Sequence, residues 1–432
     1  MRLTAFEQSV LPIRGRADQS TGCIDSSLGR SIVDLGDRLG ARVASWHGRD
    51  AIRLHQFVGV FRIGDVVLEI LPKIDGLPEP ADVRRNLLAM LAETQDLDLR
   101  ASELVGHLEN TEPFIAALCR LYCRRLLEAV RQGLRQEYVL HEEQLACLRG
   151  KVDWAKHVKL QTTQRLDFPC IFDERSEDTP LNRALKAALV ASSWILEDAA
   201  SSSVITELRH AMSAVADLVP APETIARLRT DRMNRHLEPL LRLAKLILGL
   251  RNPNQLRARN TIDSTFALAW DMNVLFEEYV GRVTVRVLRS SGQHVLLQSA
   301  ARHLALEGEK KRASFLLKPD ILVQIGRNLT ALADTKWKRL DPKSPDLGVS
   351  EADVYQLLAY ALRYRVSQAF LIFPHHPALG TAGIKRLYHL PEDIRLAVMT
   401  VDVSRIETVG SQLLHSIGSG TAGPPAILAS LS

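Results

Sequence analysis

Apolar residues follow two different periods along this chain, and the change between them outlines the fold. Residues 56–72 contain two β-rich apolar runs on either side of Gly64-Asp65, which predicts a β-hairpin. Residues 78–97 follow with apolar positions every three or four residues, which predicts a helix. A small β-containing region therefore opens the chain.

The helical period dominates the middle of the chain. From Ile115 to Leu134 apolar residues recur at helical spacing, with arginines between them, which predicts an amphipathic helix. Its arginine face suits either a solvated surface or a nucleic-acid groove. Thr179 as an N-cap and Pro180 at the first helical position predict a second helix, and further helices after it.

The C-terminal part changes period again. The predicted elements are, in order, a long helix at 266–288, two strands at 315–325 and 329–337, a helix at 351–364 and a strand at 369–373. This order predicts an α/β sandwich with a mixed sheet.

The whole pattern is that of an α+β multidomain protein. The predicted segments are a small β-containing N-terminal domain at 1–110, a mainly helical middle region at 111–258, a C-terminal α/β core with a central mixed sheet at 259–410, and a flexible tail at 411–432.

Composition narrows the class of protein. A length of 432 residues allows each of two or three domains to bury a core. The net charge of +5 mildly favours a polyanionic partner. No signal peptide opens the chain and no long apolar run is free of charge, so a cytoplasmic protein is expected.

The five cysteines indicate neither a disulfide framework nor a zinc site. Their number is odd and they are scattered through a long chain. Cys119 and Cys123 lie one helical turn apart, but no second pair at zinc-site spacing follows, so we expect them to pack in the core.

The candidate chemistry lies in the hairpin predicted around Gly326-Arg327-Asn328. A hairpin symmetric about Arg327 places Asp320 directly opposite Asp334, with Cβ atoms about 5 Å apart. Like charges in that position are destabilising unless they share a proton or bind a cation. Lys336 has the same strand parity as Asp334, so two acids and a lysine are predicted to share one face.

This grouping is typical of metal-dependent phosphodiester hydrolysis. Carboxylate oxygens are suited to a hard divalent ion, and a lysine can orient water or stabilise the added negative charge. Pro319-Asp320, thirteen further residues and Asp334-Thr335-Lys336 resemble the PD-(D/E)xK nuclease signature.

A wider resemblance covers most of the chain, which is similar to the McrC family of nuclease subunits from modification-dependent restriction systems. The matching stretches are residues 57–74, 133–153, 173–186, 271–280, 318–321 with 334–338, and 353–360.

The resemblance implies roles for individual residues. Asp320 and Asp334 are implied as ligands of Mg²⁺, with Mn²⁺ as a substitute, and Lys336 as the catalytic lysine. Glu277 is implied as a further, helix-borne acid and metal ligand, although its neighbour Glu278 is an open alternative.

A predicted helical face adds DNA-binding or supporting residues. Gln356 and Tyr360 are similar to the Gln and Tyr element of RecB-like nucleases, and Arg363 shares their face at helical spacing.

The resemblance also implies partners. It predicts a type IV restriction endonuclease subunit that cleaves modified, methylcytosine-type DNA and is recruited by a GTP-hydrolysing, McrB-like AAA+ ring. This sequence contains no P-loop motif, so nucleotide hydrolysis is assigned to the partner. The N-terminal domain is expected to dock on the ring, and a second copy of the chain is expected for double-strand cleavage.

Two other functions remain open from the sequence. A self-sufficient RecB-like DNA repair nuclease would share the catalytic residues without needing a recruiting domain. A non-catalytic scaffold for a motor ring would leave the Asp320 and Asp334 pair unexplained.

Overall fold

The computed structural model describes residues 1–15, 22–38, 41–94, 113–161, 167–196, 198–248, 255–260, 265–299, 302–307 and 312–418. The chain falls into two units, one formed by Met1–Phe114 with Pro253–Ser432 and the other by Ile115–Asn252. The N-terminal and C-terminal segments that the sequence analysis separates thus belong to one unit. Of the flexible tail predicted at 411–432, residues 411–418 instead belong to a helix and a π turn, and residues 419–432 lie outside the described residues.

The strands are β1 (Arg2–Phe6), β2 (Val10–Pro12), β3 (Ala44–Trp46), β4 (Ala51–Leu54), β5 (Phe57–Ile63), β6 (Val66–Leu71), β7 (Glu137–Leu145), β8 (Lys151–Val152), β9 (Phe168–Ser176), β10 (Gln255–Asn260), β11 (Thr265–Asp271), β12 (His294–Leu297), β13 (Arg302–Glu307), β14 (Arg312–Leu317), β15 (Ile321–Ile325), β16 (Asn328–Thr335), β17 (Gln368–Pro374), β18 (Gly383–Leu390) and β19 (Ile394–Val401).

The α-helices are α1 (Ser26–Arg38), α2 (Pro80–Thr94), α3 (Phe114–Gln132), α4 (Trp154–Gln161), α5 (Pro180–Ser192), α6 (Ala199–Ala211), α7 (Pro222–Arg227), α8 (Glu238–Ile247), α9 (Met272–Arg289), α10 (Glu351–Tyr364) and α11 (Ile406–Leu413). Short 3-10 turns lie at Arg235–Leu237 and Pro377–Leu379, and a π turn, Leu414–Gly418, follows α11. In the part of the chain that the structure describes, no helix is both long and apolar enough to span a membrane.

The first sheet of the larger unit joins the two ends of the chain. Its strand order is β1-β6-β5-β11-β10. The predicted hairpin around Gly64-Asp65 is confirmed, with Ile63 opposite Val66 across a two-residue turn. Strand β11 then pairs with β5, so residues from the N-terminal and C-terminal segments build one sheet.

The helix predicted at 266–288 is wrong in its first turns. Residues Thr265–Asp271 form strand β11, and α9 begins at Met272 with Asp271 as its N-cap. The close approach of β5 explains the difference, because a Cβ on Gly59 would lie 2.2 Å from the carbonyl oxygen of Leu268. Because Gly59 has no side chain, β5 can pair closely with residues 265–271, which the local spacing of apolar residues assigns to a helix.

The second sheet of this unit is mixed, as the sequence predicts. Its order is β12-β15-β16-β17-β19-β18, with β16, β17 and β19 parallel to one another. Helix α10 has the predicted bounds, Glu351–Tyr364, and begins at the N-cap Ser350, whose side chain accepts from the Asp353 N–H. Its buried residues pack in a core with residues of β16, β17 and β19.

The register of the predicted catalytic hairpin is confirmed over Ile321 to Val323, with Ile321 opposite Ala333. A two-residue turn and a register shift between Val323 and Gln324 produce this register, in place of the predicted three-residue loop. The single strand predicted at 315–325 is divided into β14 and β15. Pro319 between them has no N–H for a ladder, which favours the break.

The smaller unit contains the predicted helices together with strands that the sequence analysis missed. Thr179 caps α5 as predicted, because its side chain accepts a hydrogen bond from the Asn182 N–H. Strands β7, β9 and β8 form a sheet in that order. Most of β7 is exposed, so it lacks the buried apolar alternation by which such a strand is recognised. All five cysteines lie in the described ranges and are free thiols.

Candidate active site

Two carboxylates and a lysine meet where β16 ends. Asp320 precedes β15, Asp334 lies near the end of β16, and Lys336 follows that strand. The Asp320 Oδ2 atom accepts hydrogen bonds from the backbone N–H of Thr335 (2.7 Å) and from its hydroxyl (3.0 Å). The Lys336 Nζ atom lies 2.6 Å from the Asp334 Oδ2 atom. The structure therefore brings together the three residues that the hairpin pattern predicts as neighbours.

Burial perturbs the protonation of both acids. It raises the pKa of Asp320 to about 7, with a further contribution from the charge of Glu277. Burial likewise raises the pKa of Asp334 to about 6, and the charge of Asp320 adds to this effect. The site therefore favours a bound proton, or another cation, between the acids near neutral pH.

Lys336 keeps its charge despite partial burial. Burial lowers its pKa, but the charges of Asp334 and Asp320 outweigh this, and the net pKa is raised. The ammonium group is therefore cationic at neutral pH and available to compensate negative charge.

One buried oxygen of Asp334 already has a cationic partner. Asp334 is only 3% exposed, and the Lys336 Nζ atom lies 2.6 Å from its Oδ2 atom. No other donor reaches this oxygen among the described residues. A buried carboxylate oxygen in this state is suited to a cation.

Glu277 belongs to the same region through a residue that the sequence analysis missed. Its Oε1 atom accepts a hydrogen bond from the side chain of Gln298 at 2.7 Å. The backbone N–H of Gln298 donates to the Asp320 carbonyl oxygen at 2.9 Å, and its side-chain oxygen accepts from Lys318 at 3.1 Å. Gln298 thus links the helix that carries Glu277 to the segment that carries Asp320.

The three predicted metal ligands do not form a complete set. Within the described ranges, no group of three or more His, Cys, Asp and Glu side chains is arranged to hold a metal ion. Asp320 and Asp334 are close, whereas the carboxylate of Glu277 is bound to Gln298. A further acid, Asp353 at the start of α10, raises the pKa of Asp334, and the sequence analysis did not identify it.

Tyr360 faces the acids and Gln356 supports it. The Gln356 amide donates to the Tyr360 hydroxyl at 2.9 Å. Burial raises the pKa of Tyr360, and the charges of Asp334 and Asp320 raise it further. The charges of the two acids therefore act on Tyr360, and Gln356 is joined to Tyr360 through its hydroxyl.

Arg363 has a different position. Its Nε atom donates to the His303 carbonyl oxygen at 2.7 Å, and its own carbonyl oxygen accepts from Arg302. These contacts fasten α10 to the hairpin formed by β13 and β14. The structure thus joins Arg363 to a neighbouring hairpin, although it lies on the predicted face with Gln356.

Comparison with known proteins places this chain, rather than the site itself, in a family. The model of the family described as McrBC 5-methylcytosine restriction system component matches residues 52–374. No curated protein matches the sequence.

Solved structures support the fold. One similar chain comes from a refined half-complex of the tetradecameric assembly of Thermococcus gammatolerans McrB AAA+ hexamers with bound McrC. It has 18% identity, a TM-score of 0.73, and coverage of 97% of this chain and 100% of that chain. A second comes from the cryo-EM structure of the Thermococcus gammatolerans McrBC complex, with 20% identity, a TM-score of 0.51, and coverage of 67% and 88%.

Proposed function

Since this chain belongs to the family of McrBC 5-methylcytosine restriction system components, we propose that it is the nuclease subunit of such a system. In this proposal it hydrolyses phosphodiester bonds in modified DNA with the help of Mg²⁺. The observation that carries the proposal is the meeting of Asp320, Asp334 and Lys336 at the end of β16. Family membership supports a role in a restriction system, and this group of three residues supports the proposed chemistry.

The acids fit a divalent cation. The Asp334 Oδ2 atom is buried with the Lys336 ammonium as its one partner among the described residues, and burial raises the pKa of both Asp334 and Asp320. A bound cation would offset the cost of burying these charges. Asp320 and Asp334 would hold the ion, with Glu277 as a further ligand. When bound, Mg²⁺ lowers the pKa of a coordinated water and neutralises the scissile phosphate.

The protein residues supply position and charge. Thr335 fixes one oxygen of Asp320 with two hydrogen bonds, which limits rotation of that carboxylate. Lys336 remains protonated and offers its ammonium group to the negative charge that develops on the phosphate. Tyr360, which accepts a hydrogen bond from Gln356, lies within electrostatic range of the acidic pair.

We extend the proposal to the assembly. The similar Thermococcus gammatolerans chain is found in an assembly of McrB AAA+ hexamers with bound McrC. By this likeness, a McrB-like, GTP-hydrolysing ring is the proposed partner of this chain, with DNA as substrate. One active site cuts one strand at a time, so a second copy of the chain is the proposed source of double-strand cleavage.

The test is cleavage of methylated DNA by the purified chain with its ring partner, GTP and Mg²⁺. Asp334→Asn and Lys336→Ala are expected to lose about 100-fold or more in rate. Asp346→Asn and Lys343→Ala, at exposed positions in the same part of the chain, are matched controls that should cleave normally. Cleavage by Asp334→Asn at the control rate would refute the assignment of the site.

The same assay separates the alternatives. Cleavage that needs no ring partner would favour the self-sufficient repair nuclease. Ring binding without any cleavage by the wild-type chain would favour the scaffold.

A further inference from the structure

A second buried acid lies outside the catalytic group. Glu7, the residue after β1, is 2% exposed. Its Oε1 atom accepts hydrogen bonds from the Lys73 backbone N–H (3.0 Å) and from the Trp337 indole Nε1 (2.8 Å). Its Oε2 atom is buried and has no hydrogen-bond partner in the described part of the chain. The proposed reaction does not use this carboxylate.

Retaining a carboxyl group here is costly. Burial raises the pKa of Glu7 to about 7, and the charge of Asp271 contributes in the same direction, while the hydrogen bonds from Lys73 and Trp337 offset only part of the effect. Buried polar atoms in proteins are nearly always hydrogen-bonded, and the unpaired Oε2 atom of Glu7 is an exception to this rule. Such departures are concentrated at functional sites.

Trp337 connects Glu7 to the catalytic group. It follows Lys336 directly and is 8% exposed. Lys336, one residue beyond β16, is still hydrogen-bonded to β17, since its backbone N–H donates to the Ile372 carbonyl oxygen at 2.9 Å. Trp337 is the first residue after the catalytic lysine. Its buried indole can therefore hold the backbone at the point where the chain leaves the sheet.

The same indole also packs against the helix that carries Glu277. The ring centroids of Trp337 and Phe276 lie 5.2 Å apart, with an interplanar angle of 57°. Phe276 is fully buried and immediately precedes Glu277. The Trp337 side chain thus contacts both Phe276 and Glu7. Lys336 directly precedes Trp337, and Glu277 directly follows Phe276, so each of these two catalytic candidates is adjacent in sequence to one of the packed rings.

We propose that Glu7 is a positioning residue of the nuclease site. Through its hydrogen bond to Trp337 it holds the peptide that carries Lys336 against the helix that carries Glu277. This inference rests on the proposed nuclease function and adds a role for the N-terminal strands. They hold the catalytic lysine in place, whether or not they also dock a partner.

The geometry explains why one hydrogen bond matters. Lys336 acts at the end of a flexible side chain, so its position depends on the peptide at its base. A misplacement of about 1 Å in a catalytic site can cost on the order of 100-fold in rate. Without the acceptor at Glu7, the indole can turn about its side-chain bonds and the contact with Phe276 changes.

The experiment compares three variants of the full chain in single-turnover DNA cleavage. Glu7→Gln keeps an Oε1 acceptor for both donors, Glu7→Met removes the acceptor, and Trp337→Phe removes the donor but keeps an aromatic ring. Glu7→Met and Trp337→Phe are expected to lower the rate at saturating DNA by about 10- to 100-fold, with unchanged DNA affinity. Glu7→Gln is expected to restore the rate to within about twofold of wild type, because its hydrogen bonds remain.

A second measurement does not depend on cleavage. In protein with ¹⁵N-labelled tryptophan, the Trp337 indole signal is identified by its absence from Trp337→Phe. It is expected to move in Glu7→Met and to stay close to its wild-type position in Glu7→Gln. Glu79→Gln, an exposed acid in the same region, is the matched control.

The outcomes distinguish the two proposals. If the wild-type chain with its partner does not cleave, the proposed function fails, and the indole signal still reports on the hydrogen bond. If the wild type cleaves and Trp337→Phe cleaves as fast, the positioning role is overturned. A loss of DNA affinity without a loss of rate would also overturn it. If Glu7→Met does not fold, Trp337→Phe decides the question.

Discussion

Thr335 binds Asp320 twice, through its backbone N–H at 2.7 Å and through its hydroxyl at 3.0 Å. The residue between Asp334 and Lys336 in sequence therefore fixes the orientation of the other acid. The middle position of the D-x-K motif has a structural function here, whereas the motif itself leaves it unspecified.

Thr335→Val should test that function, since valine keeps the shape and loses only the hydroxyl hydrogen bond. We expect the free energy of unfolding to fall by about 1 kcal/mol and cleavage to slow by about tenfold, because Asp320 gains rotational freedom. Thr335→Ser, which retains the hydroxyl, is the control. Chemical denaturation and single-turnover cleavage give the two values, and equal cleavage by the valine and serine variants would contradict the argument.

Glu277 and Glu278 should differ in their effect on catalysis. Glu277 raises the pKa of Asp320 and is bound by Gln298, whereas Glu278 lies about 100° further round the helix. Glu277→Gln is therefore expected to reduce DNA nicking by about tenfold or more, and Glu278→Gln by much less. A larger loss at Glu278 in a plasmid-nicking assay would reverse the assignment.

The hydroxyl of Tyr360 should contribute to cleavage while that of Tyr355 should not. Tyr360 is buried beside the acidic pair, and Tyr355, on the same helix, is 63% exposed. Tyr360→Phe removes the acceptor for the Gln356 amide and is expected to slow cleavage by about tenfold. Tyr355→Phe is the matched control, and equal rates for the two variants would remove Tyr360 from the site.

Glu7 should make stability depend on pH. Its pKa is about 7 in the folded protein against an ordinary value of 4.5, so the folded state binds its proton more tightly. This contribution destabilises the fold above pH 7 and diminishes as pH falls towards 4.5. The full effect corresponds to about 3 kcal/mol.

The measurement for Glu7 is the difference in unfolding free energy between wild type and Glu7→Gln at several pH values. Asp320 and Asp334 also have raised pKa values, so the wild-type profile alone contains their contributions. We expect the glutamine variant to be the more stable at pH 8 and to lose that advantage by about pH 5. A difference that does not change with pH would show that Glu7 does not titrate in this range.

The sequence by itself determined the relationships between residues that are close along the chain. The two apolar runs on either side of Gly326-Arg327-Asn328, taken as a hairpin symmetric about Arg327, predicted the register of Ile321 opposite Ala333, and with it the approach of Asp320 to Asp334. The helix Glu351–Tyr364 has the predicted bounds because its N-cap and periodicity are local signals.

Only the tertiary structure decided the relationships between distant segments. Strand β11 exists because β5, some two hundred residues earlier, approaches it at Gly59. The hydrogen bond between Glu7 and Trp337 joins residues 330 positions apart in sequence. Gln298 likewise links Glu277 to the segment that contains Asp320, through one hydrogen bond to each. Periodicity records which residues share a face of one element, but it contains no information on which elements meet. That choice depends on packing across the whole unit, where these side chains find their partners.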